Sequence, residues 1–272
     1  MNLPKTLIII DAALEFQKGQ PALRKTIFWL VFLPTALLIP LQDEKILFSE
    51  SIPFATRHPW AYLLGLLFLY VVSIILILWG RACITVVGKR LIEGKPKQSN
   101  TSFKTVRKEA QRSIIPLSIT AILRHCIILA LYIFMLILGY FVYRTDILGG
   151  NIILFFWVII PPFIYHVRTY FYHIAVICEG KKCRKALRHS KAVVTGQTWK
   201  MVKHYFCLGI TIYLPITVIS IATIMLVDSF GLPVNILSKI VLAYISSFTF
   251  LVFTLSMIIL YADLKRSSSK KS

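Results

Sequence analysis

Five residues of this 272-residue chain put a charge or a ring nitrogen into strongly apolar surroundings: Arg124, His125, His166, Arg168 and His173. Arg124 stands about nine residues into an apolar run that begins near Ile115. Arg168 stands about 16 residues into a run that begins near Ile152, roughly 24 Å down a helix. Opposed helices would bring the two arginines to similar depth near one face of a membrane. His166, Tyr170 and His173 recur at i, i+4 and i+7 and so share one helical face. A cation within a lipid layer needs a partner, so the five residues read as a site for an anionic head group or phosphate. The simpler alternative is that the arginines extend to the aqueous interface while the histidines bond nearby carbonyls. No carboxylate adjoins the histidines, so neither a metal nor another cofactor is expected.

Other chemistry is missing. No Asp or Glu falls inside an apolar run, whereas proton- or sodium-coupled carriers bury an acid. No P-loop, G-x-S-x-G or H-E-x-x-H sequence occurs. Paired carboxylates and a His/Asp cluster cannot be assembled. The expected role is non-enzymatic, a structural, scaffolding or lipid-organising module. A transporter or permease subunit is the second reading, with Thr211, Thr217, Ser220 and Thr223 as candidates to line a cavity. An enzyme acting on lipid phosphates is the third.

The elements that carry these residues are membrane helices. Mean hydropathy is +0.74 and only 15% of residues are charged, against about 25% in soluble domains. Several runs reach the ~20 residues that cross a core ~30 Å thick. The runs do not alternate in the ~10-residue segments of a β-barrel. The expected fold is an all-α bundle of six transmembrane helices, with spans at about 26–41, 60–79, 115–143, 152–177, 206–227 and 236–261. Residues 1–262 would form the membrane domain, and 263–272 a disordered basic tail. The second helix is expected to run past Arg81 to Ile92. Amphipathic helices are expected on the membrane surface at Leu3–Lys18, in the second half of Lys95–Arg112, and at Lys185–Thr195. Along the first, Leu3, Leu7, Ile10 and Leu14 recur at helical spacing.

Charge orients the bundle. Lys and Arg number four before the first span, nine in Arg81–Arg112, nine in Arg168–Lys203 and four in the tail. The opposite loops hold four, Lys45, Arg57, Arg144 and Lys239. By the positive-inside rule both termini face the cytosol. The net charge of +20 is then a topology signal and an attraction to anionic inner-leaflet lipid. Membrane lipids and a membrane-protein partner are the partners expected; nucleic acid is not. The setting is the cytoplasmic membrane of a prokaryote. Cys178 and Cys183 lack the second pair of ligands that a zinc site needs, so thiols are expected.

Two sequence echoes point to an internal repeat. Ile92-Glu93-Gly94-Lys95 and Cys178-Glu179-Gly180-Lys181 match at an offset of 86, and Gly19-Gln20 and Gly196-Gln197 at 177. Three units are expected, each a surface helix followed by a two-span hairpin.

The second of these regions also carries a family likeness. Glu179, Gly180, Ala186, Leu187, Ser190, Gly196 and Trp199 stand in the pattern E-G-x5-A-L-x2-S-x5-G-x2-W. That pattern resembles the inter-span loop in the membrane domain of glycerophosphoryl diester phosphodiesterases and of related six-span prokaryotic proteins. Catalysis in that family belongs to a separate soluble α/β barrel, for which this chain has no room. The resemblance implies a free-standing membrane module and transfers no catalytic residue. Ser190 and Trp199 would be packing and interface positions.

Overall fold

The computed structural model describes residues 6–37, 59–93, 102–144, 151–229 and 235–269. All regular structure among them is helical: α1 Thr6–Lys18, α2 Pro21–Ile27, a π-turn Phe28–Phe32, α3 Leu33–Leu37, α4 Pro59–Ile92, α5 Phe103–Arg144, α6 Asn151–Arg168, α7 Tyr172–Glu179, α8 Cys183–Val194, α9 Thr198–Ser229 and α10 Asn235–Ser269. Four stretches are long and apolar enough to cross a membrane: Trp60–Ile92, Phe103–Tyr140, Thr198–Ile219 and Lys239–Arg266. Contacts divide the chain into one unit of Met1–Arg112 with Leu208–Ile259, and another of Ser113–Cys207 with Leu260–Ser272.

In the first unit, α4 changes character along its length. Its first half turns bulky apolar side chains outward, with Trp60, Leu64 and Phe68 78%, 65% and 71% exposed. This is the surface that hydrocarbon, rather than water, can cover. From Ala82 to Val87 every residue is buried. The change falls at Gly80, where an added Cβ would come within 2.7 Å of the Val31 side chain and 3.0 Å of the Leu30 carbonyl. Without a side chain at Gly80 the π-turn approaches the backbone of α4 closely, as small residues allow between membrane helices. Eight residues on, Gly88 gives Ile258 of α10 the same access. Arg107 of α5 covers the Trp79 ring, and its carbonyl accepts the indole N–H at 3.4 Å.

Several elements depart from the expected boundaries. Helix opens at Pro21, a residue suited to a first helical turn and expected to begin a helix, and runs into the span expected from about residue 26. Residues 38–41 lie outside the described residues. The surface helix expected in Lys95–Arg112 is the start of α5, 42 unbroken residues that continue through Pro116. The span expected at 152–177 is two helices, separated by a turn at Thr169–Phe171. The tail expected to be disordered is helical to Ser269. Along α1 the buried stripe is Ile9, Ala13 and Phe16, while Leu7 is exposed.

The helix that begins at Cys183 also differs from expectation. It turns Ala186, Leu187, Ser190 and Val194 into its own unit and leaves Arg184, Lys185 and Arg188 exposed. Its apolar face is therefore occupied by protein and not available for insertion into lipid.

The close approach at Gly80 yields a stability expectation. Gly80→Val should lower the thermal midpoint of the detergent-solubilised protein by an amount corresponding to about 1–3 kcal/mol of overpacking. Gly65→Val, where nothing lies within 4 Å of an added Cβ, should leave it unchanged. Equal midpoints for the two variants would contradict the packing described.

Candidate functional site

The polar groups of the second unit gather at the turn that separates α6 from α7. Breaking a helix there frees backbone groups that water cannot reach, and each needs a partner. Arg124 of α5 supplies two donors. Its Nη2 donates to the His166 carbonyl at 3.1 Å, and its Nε donates to Thr169 Oγ1, also at 3.1 Å. Its guanidinium also lies 5.3 Å from the Tyr172 ring centroid. Ser190 of α8 supplies one donor and one acceptor. Its hydroxyl donates to the Arg168 carbonyl at 2.9 Å and accepts the Phe171 N–H at 3.1 Å. Arg124 is 2% exposed and Ser190 fully buried. Two side chains remote in sequence thus complete the backbone bonding of the turn.

The turn gathers part of the expected constellation and scatters the rest. Arg124 faces inward, so it neither reaches the interface nor presents itself to a head group. His125, one residue on, is exposed, and its Nδ1 donates to the Ala121 carbonyl of its own helix. His166, Tyr170 and His173 stay together although the helix between them is broken, because Tyr205 of α9 joins them. His166 Nε2 lies 3.0 Å from the Tyr205 hydroxyl, and the Tyr170 ring packs edge-on to His173 and Tyr205. His173 is fully buried, with Nδ1 donating to the Tyr170 carbonyl. Arg168 is half-buried and lines a cleft of about 550 Å³ with Ile164, Gly196, Gln197, Thr198, Trp199 and Lys200. Among the described residues no group of three His, Cys, Asp or Glu is placed to hold a metal.

A second polar cluster was not foreseen. Glu179, at the end of α7, is followed by Gly180 in the left-handed region (φ 65°), a conformation that glycine adopts without strain. The Gly180 and Lys181 N–H groups both fold back onto the Ala175 carbonyl. The turn brings Lys181 and His189 to Glu179 Oε2, at 2.9 and 2.7 Å. Tyr261 and Lys265, one turn apart on α10, reach Oε1 at 2.6 and 2.9 Å. His189 Nδ1 faces the Lys181 ammonium, which can only donate, so the ring proton sits on Nε2 and points at Glu179. Burial alone would raise the Glu179 carboxyl. Hydrogen bonds from Tyr261, Lys181 and Lys265 outweigh it and hold the carboxyl at about 2, with His189 adding to this when protonated. Burial holds His189 below its ordinary value, and the positive charges of Lys181 and Lys265 act the same way against the pull of Glu179.

Sequence reading takes Glu179 only as a helix end within a motif. The contacts that make it a hub come from Tyr261 and Lys265, more than 80 residues away. Only the i, i+4 spacing of that pair hints that they act together. Of the residues suggested for a transport cavity, Thr211 and Thr217 are exposed, and Thr217 donates to the Tyr213 carbonyl of its own helix. The side chains of Ser220 and Thr223 lie outside the described residues.

Comparison of the chain with protein-family models, curated proteins and solved structures gives no match.

Two expectations follow from this geometry. Ser190→Ala leaves the Arg168 carbonyl and the Phe171 N–H without their partner, at a cost of about 1–3 kcal/mol. Arg124→Lys should be as damaging, because an ammonium cannot reproduce the two donors of the guanidinium fork. Both variants should speed amide exchange at Phe171. Wild-type protection in both would refute the assignment.

The Glu179 cluster sets a pH dependence. The carboxyl is depressed from 4.5 to about 2. Its contribution is fully present above pH 4.5 and is lost as pH falls toward 2. The depressed His189 works in the same direction, its contribution beginning to fade below pH 6.5. Thermal midpoints should therefore fall on acidification, and Glu179→Gln should remove the component between pH 4.5 and 2. An acid limb of equal size in the variant would contradict this.

Proposed function

We propose that the chain is a non-enzymatic membrane module that organises anionic lipid on the cytosolic face of a prokaryotic cytoplasmic membrane. It would have six spans with both termini in the cytosol. Three repeats of a surface helix and a two-span hairpin would build it, in the manner of the membrane domain that the Glu179–Trp199 pattern resembles. The repeat draws support from the two Gly-Gln pairs. Each follows a short helix, α1 or α8, and its glutamine carbonyl receives the first hydrogen bond of the next helix, from Leu23 or Met201.

The observation that carries the lipid reading is the division of labour in α8. Its apolar residues are consumed within the protein, so its basic side has no internal task. Arg184, Lys185 and Arg188 stand exposed near the start of α9, whose outward surface is apolar from Phe206 onward. Cations at that border attract anionic lipid by about 1 kcal/mol each. The buried polar groups argue against a reaction centre: Arg124 and Ser190 serve backbone atoms, and Glu179 is enclosed by four donors.

The full chain, reconstituted in mixed phosphatidylglycerol and phosphatidylcholine and then delipidated, should retain phosphatidylglycerol in excess of its share of the mixture. Reversing α8 with Arg184→Glu, Lys185→Glu and Arg188→Glu should cut that enrichment by about tenfold or more. Retained lipid that merely mirrors the supplied mixture would overturn the proposal.

A further inference from the structure

The cleft at the corner between α8 and α9 has features of a built site. Arg168, Gln197, Thr198 and Lys200 line it, and Thr198 begins α9 with its first-turn amides; the Thr198 hydroxyl donates to the Val194 carbonyl at 3.5 Å. Those amides have no carbonyl within their own helix. No carboxylate lines the cleft among the described residues. Gly196 turns the chain through φ 81° just ahead of α9 and lines the cleft with Arg168.

Two further observations concern the positive charge at this corner. The Arg168 Nε is shut off from solvent and has no acceptor among the described residues. Lys191 lies over the Tyr165 ring, 4.3 Å from its centroid, and is held below its ordinary pKa first by burial and then by the charge of Arg168. Arg168, which lines the cleft, thus carries a charge that a neighbouring cation disfavours and that a bound anion would relieve. The one well-placed acid of the unit, Glu179, already receives four donors.

We infer that the cleft formed by Arg168, Gln197, Thr198 and Lys200 seats a phosphate ester, the phosphodiester of an anionic membrane lipid. Its volume of about 550 Å³ exceeds what a bare phosphate needs and accommodates a head group with its glycerol. Trp199, 71% exposed at the rim, opens a helix apolar enough to cross the membrane. Tryptophan favours the depth at which lipid phosphates lie. Guanidinium and first-turn amides together suit the tetrahedral oxygens of phosphate. The inference rests on the lipid-organising reading and gives it one stoichiometric site beside the diffuse attraction of α8.

Native mass spectrometry of the full chain in neutral detergent tests it, by titration with phosphatidylglycerol and with phosphatidylcholine. One phosphatidylglycerol should bind saturably. Arg168→Gln with Lys200→Gln should weaken that event about tenfold or more, while Arg168→Lys with Lys200→Arg should largely restore it. An unchanged thermal midpoint certifies the folding of each variant. The α8 reversal should leave the saturable event in place. Displacement of the lipid by millimolar glycerol phosphate would assign the seat to soluble phosphate esters, and persistence would assign it to lipid. Saturable binding that survives Arg168→Gln with Lys200→Gln overturns the site but leaves the lipid-organising reading standing. Equal uptake of both lipids by wild type and by the α8 reversal overturns both.

Discussion

Ser190 and Arg124 hold a break in a helix, and the second unit is built on that break. A chain crossing lipid can leave no backbone donor or acceptor unmade, so an uninterrupted helix is the default. Between Arg168 and Tyr172 the chain departs from it. The carbonyls of His166 and Arg168 and the N–H of Phe171 are each met by a side chain from another helix. Because those side chains come from α5 and α8, satisfying the turn also fixes where these helices stand relative to α6 and α7. A guanidinium is a costly group to enclose. It is tolerable where its donors are used on carbonyl and hydroxyl oxygens and its face lies against an aromatic ring, as at Tyr172.

The turn has consequences at both of its ends. On the α6 side it leaves the Arg168 side chain at the edge of the protein while its carbonyl is tied to Ser190. On the α7 side it directs a two-turn helix to Glu179, and Gly180 then sends the chain back into α8. Glu179 thereby meets donors from three places in sequence, Lys181, His189 and Lys265. The same carboxylate draws the end of α10 into the unit, which accounts for helix where a charged, serine-rich sequence reads as a loose tail. Positive charge that orients a membrane protein must also be packed without mutual repulsion. Here one half-buried acid, Glu179, neutralises part of it.

The long helices were legible because length and hydropathy suffice to recognise an apolar run, as in Trp60–Ile92. The break was not legible. The residues Arg168-Thr169-Tyr170-Phe171 contain neither Gly nor Pro, while the strongest local breaker, Pro161-Pro162, lies inside unbroken α6. What interrupts the helix is hydrogen bonding from Arg124 and Ser190, partners 45 and 19 residues away from the atoms they bond. Arg124 stood out correctly as unusual, since charge inside an apolar run is detectable from composition. Its role was not, because an arginine aimed at a ligand and one aimed at a backbone carbonyl have the same sequence. For the same reason α8 could be recognised as amphipathic, but whether its apolar face met lipid or protein could not be read. Leu7 in α1 shows the finer limit: a spacing that admits two neighbouring stripes does not choose between them.

Most buried hydroxyls on these helices point back along the chain that carries them. Thr26 donates to the Ala22 carbonyl, Thr85 to Arg81, Thr120 to Pro116, Ser247 to Ala243 and Thr249 to Ile245, each four residues back. Such bonds let a small polar side chain sit at a close helix contact without needing an external partner. Among the described residues, groups with partners outside their own helix include the turn at Thr169–Phe171, the Glu179 cluster, the Cys183 N–H on Thr120 Oγ1, and the pairs Gln20–Arg90 and Trp79–Arg107. In the second unit these contacts tie helix ends together, and Arg168, Gln197, Thr198 and Lys200 line the cleft beside them.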